Sequence, residues 1–267
     1  MDINASKFDM MNCAGWAYQS FWQKRQILFK AMLIPLLLKM GLNGYIFTQM
    51  PDASLLRQSL IRVPDFFFEG WLVVGFLYLI AFDRKSIPVP FGKQSGQEIK
   101  AGQTTMISAI LIYVLTSLFL AGYSQAVFEV APFGVPNEQE QVAPEKLLVL
   151  TAAILFVVLQ FRLLWMYIPK SFGLQVSEYL KQTGTAGLNL KLFGLWLIAI
   201  IPLSFVFFGI FGLLVDPYVE NLRQAPLTIK ILMTFIQSLY ELLMILIQAG
   251  AVYYAVFYEK YERERLR

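Results

Sequence analysis

Six long apolar runs organise the chain. They cover about residues 26–47, 66–83, 104–127, 147–168, 190–215 and 229–257, with short polar stretches between them. A helix needs roughly 20 mostly apolar residues to cross a bilayer, so each run predicts a spanning α-helix. The second, FFFEGWLVVGFLYLIAFD, is the shortest. The last is longer than a bilayer requires and is expected to project into the cytoplasm as a helix. The fold class that follows is all-α, a polytopic membrane protein with six transmembrane helices.

Polar segments divide the runs further. The odd-numbered runs begin near residues 26, 104 and 190, each after a basic, partly amphipathic stretch. In the first stretch Phe8, Met11, Tyr18 and Trp22 recur at near-helical spacing, which suits a helix lying in the membrane interface. The second, PFGKQSGQEIKAG, is shorter and more broken. The third, SFGLQVSEYLKQTGTAG, puts Phe172, Val176 and Tyr179 or Leu180 on one face and ends in Gly184 and Gly187. Three antiparallel hairpins are expected, each entered through a cytoplasmic interfacial segment. The organisation is an interfacial segment over 1–25, a six-helix domain over 26–257 and a charged helical tail over 258–267. In the tail, Glu259 and Arg263 stand at i and i+4 in the favourable order.

Lysine and arginine placement orients the spans. Lys7, Lys24, Arg25, Arg84, Lys85, Lys93, Lys100, Lys170, Lys181, Lys191, Lys260, Arg263, Arg265 and Arg267 fall on one side; Arg57, Arg62, Lys146, Arg223 and Lys230 fall on the other. Both termini are therefore expected in the cytoplasm, as an even number of spans requires. Aromatic belts fit this frame, with Phe66, Phe67, Phe68 and Trp71 at the outer interface. Trp165, Tyr167, Tyr253, Tyr254 and Tyr258 would sit at the inner one.

Composition supports the bilayer. The chain is 57% hydrophobic and 15% charged, with mean hydropathy +0.57, against about 25% charged residues in soluble domains. The net charge of +4 reports topology and gives no reason to expect nucleic acid. The first 25 residues hold no apolar run followed by a small-residue cleavage site, so no removable signal peptide is expected. There is no His, which rules out a Ser-His-Asp triad and an HExxH zinc site. The single Cys13 excludes an intrachain disulfide; it is expected to be an ordinary small residue, with acylation the alternative. FGKQSGQE lacks the spacing of a phosphate loop. No metal or cofactor is expected.

The stretch VSEYLKQTGTAGLNLKLFGLWL, 176–197, resembles YciC-like bacterial inner-membrane proteins. It is also similar to the membrane domain fused to some glycerophosphodiester phosphodiesterases. In that pattern an Arg-containing span ends near Pro, and an interfacial helix with Ser and an aromatic residue follows. A Gly then leads into the next span. Arg162, Pro169, Ser177, Tyr179 and Gly184 hold those places here. The resemblance implies a multi-pass bacterial inner-membrane fold and no agreed activity. The soluble hydrolase domain is absent from the chain.

Charges inside the runs are the functional leads, because each costs about 2.5–3.5 kcal/mol at mid-depth. Arg162 and Lys30 are shallow by position; an Arg or Lys stem can snorkel to headgroup phosphates, and Asp83 is a possible partner for Arg162. Lys39 and Glu241 are deeper and at comparable depth. With Glu69 they form a candidate intramembrane ion-pair cluster, to which Asn43 and Gln248 could add. The plain alternative is an ion pair that binds helices together. Pro35 and Pro202 interrupt the first and fifth runs near their middles and permit kinks; such kinks serve transporters and ordinary packing alike.

Three function classes remain. The absence of reaction chemistry favours a non-catalytic accessory or scaffold component of a larger membrane assembly. Its partners would be membrane phospholipids and other subunits. The alternative is a transporter or lipid-handling protein that uses Lys39, Glu241 and Arg162. A membrane-embedded lipid enzyme ranks last. An accessible cavity around Lys39 and Glu241 would favour the second class; tight apolar packing there would disfavour it.

Overall fold

The computed structural model describes residues 8–50, 53–88, 97–130, 144–218 and 226–257. Among these residues every regular element is helical. Five helices are long and apolar enough to cross a membrane: α2 (Arg25–Gln49), α4 (Val63–Ala81), α5 (Gln97–Val130), α9 (Ala186–Val215) and α10 (Leu227–Val256). A sixth span exists if α6 (Pro144–Leu159) and the segment after it count as one, for the two meet at a 50° bend. The chain is a membrane-embedded, all-helical protein with five to six apolar spans.

That bend departs from the straight fourth span expected over 147–168. α6 stops at Leu159; a 3-10 turn, Phe161–Trp165, and the short α7, Tyr167–Ser171, follow. Apolar composition is uniform across the break, so hydropathy cannot mark it. What permits it is polar satisfaction from elsewhere in the chain, described below.

The small helices organise the end of the bundle that carries the N-terminus. α1 (Met10–Gln23) is capped by Asp9, whose side chain accepts from the N–H groups of Met11 and Asn12. α1 packs on α10 and α9. Its buried side is Cys13, Ala14 and Ala17, whereas Met11 and Trp22 are exposed. The expected interfacial face is thus split. Phe8 and Tyr18 turn toward the protein, with Tyr18 donating to the Ala199 carbonyl at 2.7 Å, in the turn preceding Pro202. Met11 and Trp22 stay exposed, with the Arg25 guanidinium 4.6 Å over the Trp22 ring.

Small residues permit this contact. A Cβ on Gly250 would lie 3.1 Å from Phe76 and 3.2 Å from Ala17, so α10 meets α4 and α1 at backbone range. Gly250→Leu should therefore cost about 1–3 kcal/mol by overpacking, seen as a lower melting midpoint in detergent; an unchanged midpoint would contradict this packing. Cys13 is fully buried in the same contact, and burial pushes its thiol up to about 12. Native protein at pH 8 should leave Cys13 unlabelled by maleimide, and denatured protein should label fully. The acylation alternative loses its access for the same reason.

Two more expectations change at this end. The end of α10 does not stand clear of the bundle: residues Leu246 to Val256 are buried on all sides, sheathed by α1, α4 and Phe172. A helix apolar all round is a core helix. The helix ends at Val256, and the charged tail 258–267 lies outside the described residues. Trp165, Tyr167, Tyr253 and Tyr254 are buried in the core and do not form a belt; Tyr258 lies outside the described residues.

The connection after α4 also differs from a plain loop. At Asp83 the backbone turns with φ +46°. The chain then folds back along α4, where Ile87 fills the space a Gly75 side chain would need and the Pro88 carbonyl accepts from Trp71 Nε1 at 2.9 Å. Of the broken segment expected over 90–102, residues 90–96 lie outside the described residues, and α5 is already helical from Gln97. In the third lead-in, α8 (Val176–Gln182) buries Tyr179 completely.

At the opposite end the helices are less covered. α3 (Leu55–Ile61) packs on α5, and the Leu55 N–H donates to Gln125 Oε1 at 2.7 Å. Phe205 and Leu213 on α9 are 84% and 82% exposed, as expected of lipid-facing side chains. One end of the bundle is thus densely packed, while the other leaves space between the helices.

Candidate functional site

The site begins with the narrow buried stripe of α2: Leu28, Met32, Pro35, Lys39, Asn43 and Ile46, at spacings of three or four. That period gives one helix face. A lysine and an asparagine on this face must find partners inside the protein. Asn43 Nδ2 donates to Ser238 Oγ of α10 at 3.2 Å.

Lys39 has three carboxylate partners. Its Nζ lies 3.1 Å from Asp65 Oδ2, 2.9 Å from Glu241 Oε2, and in hydrogen-bond contact with Glu69 Oε1. It donates hydrogen bonds to Asp65 and Glu69, and Glu241 completes the group as an ion pair. Asp65 and Glu69 stand at i and i+4 on α4, which brings both to the face that meets α2. Tyr113 of α5 completes the group by donating to Glu69 Oε2 at 3.0 Å. It is held there by the close approach of α5 at Gly70, where a Cβ would lie 3.1 Å from the Tyr113 ring. Gln237 donates to Glu241 Oε1 at 3.0 Å, one turn away on α10. The cluster ties α2, α4, α5 and α10 together.

Lys39, Glu69 and Glu241 therefore meet, and Asp65 and Tyr113 join them. Asp65 falls one residue before the apolar run read as the second span, so the run's boundary hid it. The i, i+4 spacing of Asp65 and Glu69 was the signal available. Gln248 lies two turns along α10 from Glu241; it is buried and its Nε2 has no hydrogen-bond partner.

The cluster forms the polar wall of a cavity of about 700 Å³. α2 to α6, α9, α10 and the 3-10 turn all contribute to its lining, which is mainly apolar and aromatic, with Phe161, Trp165, Phe193 and Trp196 among its residues. Ligand pockets span about 300–1,000 Å³ and combine apolar walls with a few placed polar groups. Exposure is graded across the cluster: Lys39, Asp65 and Glu69 are 3%, 0% and 2% exposed, and Glu241 is 21% exposed. Glu241 also lines a second, aromatic cavity of about 270 Å³ with Phe207, Phe208 and Tyr240. The approachable charge is thus a carboxylate. Among the described residues no group of acidic, His or Cys side chains could hold a metal ion; the Lys39 ammonium occupies the centre of the carboxylates.

Arg162 lies elsewhere, in the 3-10 turn after the bend. Its backbone is the part that is held. The N–H freed by the break donates to Asn189 Oδ1 of α9 at 2.9 Å, and its carbonyl accepts from the Tyr179 hydroxyl of α8 at 3.1 Å. Asn189 Nδ2 donates in turn to the carbonyls of Thr185 at 3.0 Å and Thr183 at 3.3 Å. The guanidinium sits against Gly184, where a Cβ would be 3.0 Å from Nη1, and its Nε and Nη1 have no hydrogen-bond partner. Asp83 is not its partner. Asp83 pairs with Lys24, whose hydrogen bond and charge hold the Asp83 carboxyl below the usual carboxylate range. Lys30 is exposed. Pro35 is buried in α2, and Pro202 is exposed in α9.

Comparison with protein-family models, curated proteins and solved structures found no match for the chain.

Proposed function

We propose that this chain is a transporter or lipid-handling protein that takes an amphiphilic molecule into the cavity beside the Lys39 cluster. The cavity is the observation that carries this reading. An ion-pair cluster that only bolts helices together is best walled off by apolar packing, because solvent or ligand access weakens it. Here the cluster fronts about 700 Å³ of space. Four charged side chains at depth cost on the order of 10 kcal/mol before pairing, by insertion scales, and ionisable groups at such depth line substrate and ion pathways. The accessory or scaffold role rests on the absence of reaction chemistry, which a carrier of amphiphiles also lacks.

The topology that goes with this function counts α6 and its bent continuation as one span. The six spans then form three hairpins with both termini in the cytoplasm, as the lysine and arginine distribution favours. The likeness of residues 176–197 to YciC-like proteins supports a bacterial inner membrane.

Native mass spectrometry of protein extracted in mild detergent tests the proposal. The wild type should retain a lipid-type amphiphile. Ala121→Trp, which fills the cavity from α5, should melt at a similar temperature and lose it. Wild-type protein that emerges bare, in fixed stoichiometry with another membrane protein, would return the accessory reading to first place.

A further inference from the structure

We infer that the amphiphile carries an amine cation at its polar end, next to oxygen acceptors. This rests on the preceding proposal that the cavity holds an amphiphile. The first observation is a charge count. The cavity and the cluster behind it contain two cations, Lys39 and Arg62, and three carboxylates, Asp65, Glu69 and Glu241. One negative charge is left over. In a low-dielectric interior an uncompensated charge is costly, and an ammonium group placed against it lowers the cost, whether or not the ligand as a whole is cationic. A net anionic headgroup would add to it.

The second observation is position. Lys39 is enclosed by its three carboxylates and is 3% exposed, so it presents nothing to a ligand; Glu241 is 21% exposed at the cavity wall. A carboxylate has about four lone-pair sites. Gln237 donates to Glu241 Oε1 and Lys39 is ion-paired with Oε2, which leaves acceptor capacity on a carboxylate that lines the space. Trp165 and Trp196 line the same cavity and offer aromatic faces that attract ammonium groups.

The third observation is a set of unsatisfied donors. Arg62 Nε, Trp165 Nε1 and Gln248 Nε2 are buried without hydrogen-bond partners, and all three residues line the cavity. Arg62 caps α4 three residues before Asp65, and Gln248 follows Glu241 on α10 by seven. At 1.5 Å per residue these donors stand about 5 Å and about 10 Å along the helices from the cluster. An amine with phosphate or ester oxygens spaced along it, as in an aminophospholipid, matches a carboxylate flanked by donors.

The test uses full-length protein in mild non-ionic detergent, offered phosphatidylethanolamine and phosphatidylglycerol with identical acyl chains. Bound lipid is counted by native mass spectrometry. Wild type should retain the amine lipid at least about tenfold over the anionic one, a difference of about 1.4 kcal/mol. Glu241→Gln should erase that preference. Arg62→Gln, outside the Lys39 contacts, should widen it by making the cavity more negative. Equal retention of both lipids, with neither variant changing the ratio, would overturn the amine inference and leave the amphiphile reading standing. A proton held by one carboxylate would give that result. Retention of neither lipid would remove both.

Discussion

Lys39→Met should destabilise the protein by about 3–5 kcal/mol, the cost of leaving buried charges without their counterion. Three carboxylates depend on this ammonium, and two of them, Asp65 and Glu69, are almost fully buried. Thermal melting in detergent should show a large drop or no folded protein at all. Rescue is graded. Lys39→Met with Glu69→Gln should recover the most, because Glu69 is buried and Tyr113 can still hydrogen-bond the amide. Lys39→Met with Glu241→Gln should recover less, since the 21% exposed Glu241 finds solvation more easily. Groups in one network give non-additive cycles of about 0.5–3 kcal/mol; additive behaviour in both would show that the cluster is not coupled.

Asn189→Leu should destabilise by on the order of 3 kcal/mol, although Asn189 touches none of the cluster. This one buried side chain bonds three backbone groups: the N–H of Arg162 and the carbonyls of Thr183 and Thr185, of which the last alone keeps another donor, the Asn189 N–H. Each buried group left unpaired costs about 1–3 kcal/mol. The break at Gln160 should loosen, so limited proteolysis should cut sooner between residues 172 and 188. Arg162→Gln is the contrasting variant. Its guanidinium Nε and Nη1 make no hydrogen bond, so its loss should cost less than about 1 kcal/mol. If Arg162→Gln proves the more damaging of the two, the guanidinium and not the backbone holds this turn.

The sequence made the spans legible because crossing a bilayer needs length and hydrophobicity, and both are read directly from runs of residues. Helix ends differ from the runs by only a few residues at α2, α4 and α10. The bend at Gln160 was hidden for a physical reason. It depends on Asn189 and Tyr179, which are distant in sequence, while the residues across it remain apolar. The tyrosines 253 and 254 look like belt residues by composition. Tyr254 is buried because α1 packs close through the small residues Cys13, Ala14 and Ala17, and Tyr253 because Phe172 folds over it; neither contact has a hydropathy signal. Lys39, Glu69 and Glu241 stood out as costly charges at similar depth. Asp65 did not, because it sits where a span was expected to begin. The cavity itself could not be read from sequence, since it depends on how the helices that line it diverge.

The central claim is that an amphiphile occupies the cavity while the protein is in a membrane. Photolabelling in bilayers with a phospholipid that carries a diazirine on its acyl chain tests this most directly. Peptide mapping should find label at the cavity-lining Leu164 and Phe193 as well as at the outward-facing Phe205 and Leu213. Ala121→Trp should abolish the first pair of labels and leave the second unchanged. Label confined to Phe205 and Leu213 in the wild type, or label at Leu164 and Phe193 that survives Ala121→Trp, would contradict the account.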